Sequence, residues 1–202
     1  MIAFGTALRR QINPFIAAVM CAIVLFGTIA FMIQSRAAIL RSGAEVVLKV
    51  VPVDPRDLMR GDYVRLRYDN MSIVNGTMTA EGWPERDVYI PLWLGLEAGE
   101  DGLSKVTSIH FAKPESGSSN AVYLKSKPVM VYAADKSRAN DIMFSLQFGI
   151  ERYYVPEGEG LEIEDARNEG RTTVAVRVSA DGEPQIARLM IDGETLYREP
   201  VY

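Results

Sequence analysis

The residues with the most chemical potential lie in one stretch, VPVDPRDLMRGDYVRLRYDN, residues 51–70. Four carboxylates, Asp54, Asp57, Asp62 and Asp69, fall within it and raise the question of a cation. A hand-type calcium loop needs alternating oxygen ligands, a central glycine and a closing glutamate, and this spacing supplies none of these, so no metal is expected. His110, in TSIHFAKP, is the single histidine, and Cys21 is the single cysteine. A Ser/His/Asp arrangement would rest wholly on His110, and a thiol nucleophile wholly on Cys21. The paired carboxylates Glu162 and Glu164 read as solvated, not catalytic. We expect no catalytic residue, no cofactor and no metal. Two other readings stay open. Tyr63, Tyr68, Tyr153 and Tyr154 offer stacking surfaces for a small ligand or glycan, and Asp62 or Glu151 offers a base for a hydrolase.

The same stretch also reads as a structural corner. Asp54 suits a helix N-cap, Pro55 the first helical position and Asp57 the first turn. Val53 and Leu58 have the spacing of a hydrophobic staple. Gly61 can end that turn, after which alternation predicts a strand with Val64, Leu66 and Tyr68 on one face and Tyr63, Arg65 and Arg67 on the other. Asp62 would then satisfy backbone donors. GIERYY, residues 149–154, is a candidate packing neighbour, with Glu151 or Arg152 meeting Arg60 or Asp62 on charge grounds.

The elements that must hold this corner follow an apolar leader. Pro14–Ile33 carries no charge, and as a helix it rises about 30 Å, the depth of a bilayer's hydrocarbon core. It is read as a transmembrane helix, with residues 1–13 a basic cytoplasmic leader and 34–43 a linker. The small residues of SRA, 35–37, leave open cleavage after Ala37 as a signal peptide, although the apolar run is longer than a signal core of about 7–15 residues. Two arginines precede the span (Arg9, Arg10) and two follow it (Arg36, Arg41), and the short, wholly basic leader tips the orientation towards a cytoplasmic N-terminus. Residues 44–202 then form an exported domain, periplasmic or extracellular, on a bacterial inner membrane. A domain without cysteine suits an oxidising space.

Composition excludes nucleic acid as a partner. The 202 residues are 48% hydrophobic and 24% charged with a net charge of −4, and since residues 1–42 hold four arginines and no acid, the remainder is acidic. Beyond residue 43, runs rich in Val, Ile, Tyr and Leu alternate with Gly, Pro, Asp and Asn. These predict strands near 44–53, 63–74, 86–94, 104–111, 120–132, 143–155, 171–179 and 185–192. In TTVAVRVS, Val174, Val176 and Val178 point one way while Thr173, Ala175 and Arg177 point the other. SADGEP turns that strand into QIARLMI, and a second Asp-Gly turn in DGETLY leads to a short last strand. GLEIEDARNEG, 160–170, is a helix candidate with Asn168 and Gly170 at its exit, and PESGSSN is an exposed loop. The fold class is mainly β: a transmembrane helix, then an antiparallel β-sandwich or barrel-like domain with one or two short helices.

GDYVRLRY, residues 61–68, resembles the pattern that gives the GDYXXLXY family its name, with Gly61, Asp62, Tyr63, Leu66 and Tyr68 in register. FGIERYYVPEG, which contains Gly149, Glu151, Arg152 and Tyr153, and LMIDGETLY are similar to that family's other blocks. The resemblance runs from the anchor onward and implies a bacterial membrane-anchored protein, in a family often encoded beside multi-pass membrane proteins, with no catalytic residues to carry over. GDYVRL after an N-terminal anchor is also similar to the Gly-Asp box of membrane signal peptidases. Those use a Ser-Lys dyad, and VVPVDPRDLMR holds neither residue. The expected function is non-enzymatic: a single-pass envelope protein, held in the membrane by residues 14–33, whose β-domain supports or binds another protein, such as a polytopic membrane protein.

Overall fold

A computed structural model describes residues 13–51, 63–79, 82–114, 120–156 and 159–200. The chain divides into two compact units, Met1–Ala38 and Ile39–Val201. Helix α1 runs from Pro14 to Ser42. Asn13 caps it, its side chain accepting from the Phe15 N–H at 3.0 Å, and Pro14 occupies the first turn, where a missing N–H costs nothing. Phe15, Phe26 and Phe31 are all exposed, so no side of the helix is reserved for water. α1 is long and apolar enough to cross a membrane, a property that an N-terminal signal sequence shares.

The segment expected as a linker, 34–43, is instead helical as far as Ser42. Ala37, Ala38, Ile39 and Leu40 are compatible with a helix, and neither glycine nor proline interrupts the run before Gly43, whose N–H bonds the Ile39 carbonyl at 2.8 Å.

The second unit is a set of antiparallel strands: β1 (Ala44–Val51), β2 (Tyr63–Arg65), β3 (Arg67–Tyr68), β4 (Ile73–Asn75), β5 (Val88–Ile90), β6 (Trp93–Ala98), β7 (Ser104–His110), β8 (Val122–Lys125), β9 (Val129–Val131), β10 (Met143–Ser145), β11 (Arg152–Tyr154), β12 (Thr172–Val178), β13 (Pro184–Ile191) and β14 (Glu194–Arg198). Helix α2 spans Gly160–Asn168, and 3-10 turns lie at Gly76–Met78 and Ala133–Asp141. A five-stranded sheet has the order β14-β13-β12-β1-β3 and a three-stranded sheet the order β7-β6-β8. The ribbons β10-β4, β11-β2 and β5-β9 complete the set. Their inner faces share one core, in which Val46, Leu48, Leu94, Ile109, Leu124, Val174 and Leu189 are buried. Each such side chain contributes about 1.5–3 kcal/mol of burial. The mainly β, antiparallel class is the one the alternation predicts.

Several expected strands are shorter than their apolar runs. The run 63–74 breaks at Leu66, between β2 and β3, and again between β3 and β4, where the chain turns at 69–72 with Asn70 left-handed at φ 54°. Pro91 and Pro128, which have no N–H to donate, interrupt 86–94 and 120–132. The run 143–155 splits into β10 and β11 around Gly149. On β12, Val174, Val176 and Val178 face the core as expected, but Ala175 is also buried, flanked in the ladder by Val47 and Arg188. The second Asp-Gly turn has positive φ at both Asp192 (52°) and Gly193 (83°), as a tight primed hairpin turn requires.

Candidate functional site

The segment 63–68 crosses from one sheet to another. β2 pairs with β11, setting Val64 opposite Tyr153 and Arg65 opposite Arg152, while β3 pairs with the end of β1 through Val50 and Tyr68. Between them the Leu66 N–H donates to the Glu151 carbonyl at 2.9 Å. The chain can change partners there because its side-chain alternation does not change. Val64, Leu66 and Tyr68 are all buried, and Arg65 and Arg67 are exposed. The two blocks singled out from the sequence thus meet where 63–65 pairs with 152–154.

Tyr68 joins the blocks. Its ring is in the core, and its hydroxyl donates to the Ile150 carbonyl at 2.6 Å. Burial, with the nearby Glu151 carboxylate second, pushes the hydroxyl well above the usual tyrosine range, so it remains a neutral donor. Glu151 folds back on its own loop, where its carboxylate accepts from the backbone N–H groups of Phe148 and Gly149, the latter at 3.0 Å. Gly149 stands at φ 86°, a conformation that a side chain would strain. Phe148 and Ile150 insert into the core on either side of it. Tyr153 is also buried, near Tyr197 at 6.2 Å between ring centres, and burial together with Glu199 raises its hydroxyl. Tyr154 faces outward and is exposed.

One member of the corner was invisible in the sequence. Arg167 on α2 is buried, and its Nη1 donates to the Arg65 carbonyl at 3.0 Å. Its Nε and Nη2 reach the Asn168 side-chain oxygen at 3.3 and 3.1 Å, and Glu164 lies 3.9 Å away. The signal available was spacing, since Ile163, Ala166 and Arg167 fall at i, i+3 and i+4 and form the buried face of α2.

Tyr68 and Tyr153 therefore offer no surface to a ligand, and a stacking platform of four tyrosines does not form. Asp54, Asp57, Arg60, Gly61 and Asp62 lie outside the described residues, and with them the capped turn, the Asp62 bonds and the expected pairing with Glu151 or Arg152. Tyr63 is placed by backbone in β2, opposite Tyr154. Asp69 is exposed beside the turn and uses its N–H on the Lys49 carbonyl. His110 lies on β7 with Nε2 3.0 Å from Ser108 Oγ and its ring edge-on to Tyr123 at 5.6 Å. Burial lowers its pKa, and among the described residues no carboxylate bonds its other ring nitrogen. The arrangement at the corner can lock a strand crossing. The Tyr68 hydroxyl and the Glu151 carboxylate both serve main-chain atoms.

A family model described as GDYXXLXY protein matches residues 25–189 of the chain. No curated protein and no solved structure matches it.

Proposed function

The chain belongs to the GDYXXLXY protein family, and on that premise we propose that it is a non-enzymatic, single-pass envelope protein whose β-domain holds or supports another membrane protein. The observation that carries this reading is the placement of the family signature. Leu66 and Tyr68 are buried, and Tyr68 is bonded to the backbone of the second block, which supports a structural role for these two members of the signature. The large apolar residues left at the surface favour contact with a protein. Tyr89 on β5 and Met130 on β9 lie directly opposite each other and both face outward, with Tyr132 next to them. The uncharged stretch Pro14–Ile33 of α1 supports residence in the bilayer, and the wholly basic leader supports a domain on the outer side of a bacterial inner membrane.

Co-purification of the full chain from detergent-solubilised membranes tests the reading. A polytopic protein should be recovered in stoichiometric amount and lost on Tyr89→Glu or Met130→Glu. A retained small molecule with no protein partner would defeat it. A reporter fused to the C-terminus should be active only outside the cytoplasm.

A further inference from the structure

We propose that Asn75–Gly76 is a latent site of spontaneous deamidation that the β4-β10 ribbon holds closed, so that loss of the Asn75 amide records opening of that ribbon. Of the six asparagines, Asn13, Asn70, Asn75, Asn120, Asn140 and Asn168, only Asn75 precedes a glycine. Glycine has no side chain to shield its backbone nitrogen, so the Gly76 nitrogen can approach the neighbouring side-chain amide as at no other asparagine. In the reaction that nitrogen gives up its proton and bonds to Asn75 Cγ. The side-chain nitrogen leaves as ammonia, carrying that proton, and water then opens the cyclic imide at either carbonyl. The products are aspartate and isoaspartate, with water the only co-reactant and no change of oxidation state.

The folded chain blocks each requirement of that reaction. The Gly76 N–H donates to the Ile142 carbonyl at 2.8 Å, so its proton is engaged. Asn75 Oδ1 accepts from the Thr77 N–H at 2.8 Å, which fixes the side chain. The imide ring is nearly planar, and closing it needs Asn75 Cβ and the Gly76 nitrogen to eclipse; at ψ 137° they stand about a quarter turn apart. The Gly76 peptide has no room for that rotation, because Gly76 is buried and a methyl group on it would come within 2.5 Å of the Ala139 carbonyl oxygen. The ribbon holds these groups together, with Met143 opposite Asn75, Phe144 opposite Val74 and Ser145 opposite Ile73. It has only three residues in each strand, and Ile73 and Met143 are exposed, so it opens more readily than the five-stranded sheet. An aspartate at 75 can still accept from Thr77. Isoaspartate adds a methylene to the main chain of β4 and shifts the ladder out of register, so that product makes the opening irreversible.

Peptide mapping by mass spectrometry of the full chain in detergent, held at mildly alkaline pH with and without urea, tests the proposal. In urea that unfolds the second unit, Asn75 should lose its amide faster than any other asparagine. Without urea its rate should fall at least about tenfold, because it scales with the open population. Phe144→Ala removes a ring whose centre lies 6.0 Å from that of Trp83 and should raise the rate without urea several-fold. Val176→Ala, in the five-stranded sheet, should leave it unchanged. Equal rates with and without urea overturn the closed site, and an Asn75 no faster than the other asparagines in urea overturns its lability. Acceleration that is absent in Phe144→Ala, or equal in the two variants, overturns the ribbon as the gate. If either variant fails to fold, low urea decides with the unaltered chain: a rate that climbs before the global transition supports the ribbon, and one that only follows the transition overturns it.

Discussion

Replacing Tyr68 by phenylalanine removes one oxygen and leaves the ring in place. The Ile150 carbonyl that received the 2.6 Å bond then has no donor at that position, and Ile150 and Tyr68 are only 4% and 2% exposed, so water does not substitute. Stranding a buried acceptor costs about 1–3 kcal/mol. For a folded unit of this size, each kcal/mol lowers the melting temperature by about 2–4 °C, so Tyr68→Phe should melt roughly 2–12 °C lower. Urea unfolding followed by fluorescence should show a lower midpoint with the slope unchanged. The variant also has a pH signature. The folded state raises the Tyr68 hydroxyl, by burial first and Glu151 second, so its contribution is complete below the ordinary value of 10.0 and is lost as pH rises from there towards the folded value. Tyr153 is raised in the same direction, by burial first and Glu199 second. The unaltered chain should therefore weaken above about pH 10, Tyr68→Phe should weaken less steeply, and Tyr68→Phe with Tyr153→Phe should lose most of the decline. An unshifted midpoint near neutral pH, or an alkaline decline as steep as that of the unaltered chain, would refute the reasoning.

Three other outcomes follow from particular contacts. A methyl group added at Gly43 would come within 2.6 Å of the Ile39 carbonyl oxygen and 2.9 Å of that of Val178, both backbone atoms, so Gly43→Ala should lower the melting temperature by the equivalent of about 1–3 kcal/mol. Arg167→Ala strands the Arg65 carbonyl and opens a cavity under α2, for about 3 kcal/mol, read as a shift in denaturant midpoint; no shift would remove Arg167 from the corner. Alkaline extraction of membranes should leave the chain in the pellet with its N-terminus intact, whereas release of a chain beginning at Ala38 would identify residues 1–37 as a cleaved signal peptide.

The sequence by itself determined the apolar helix, the strand-rich class and the core-facing side chains of the alternating strands, although not the burial of Ala175 on the opposite face of β12. Burial in a strand repeats every two residues, so the face holding Val64, Leu66 and Tyr68 was legible, and so were β1, β7, β12 and β13 to within about two residues at their ends. Uncharged length alone set the apolar span, although not where its helix stops: residues 34–42 continue it because nothing local ends a helix before Gly43. Period-two alternation specifies a face but no partner, and only the tertiary structure decided that 63–65 pairs with 152–154 while 67–68 pairs with 50–51. The same holds for the bond from Tyr68 to Ile150, 82 residues away, and for Arg167 beneath Arg65, 102 residues away. An arginine reads as a surface residue because burying its charge is costly, and it is buried here because the break in pairing at Leu66 aims the Arg65 carbonyl at α2, where a guanidinium can satisfy it.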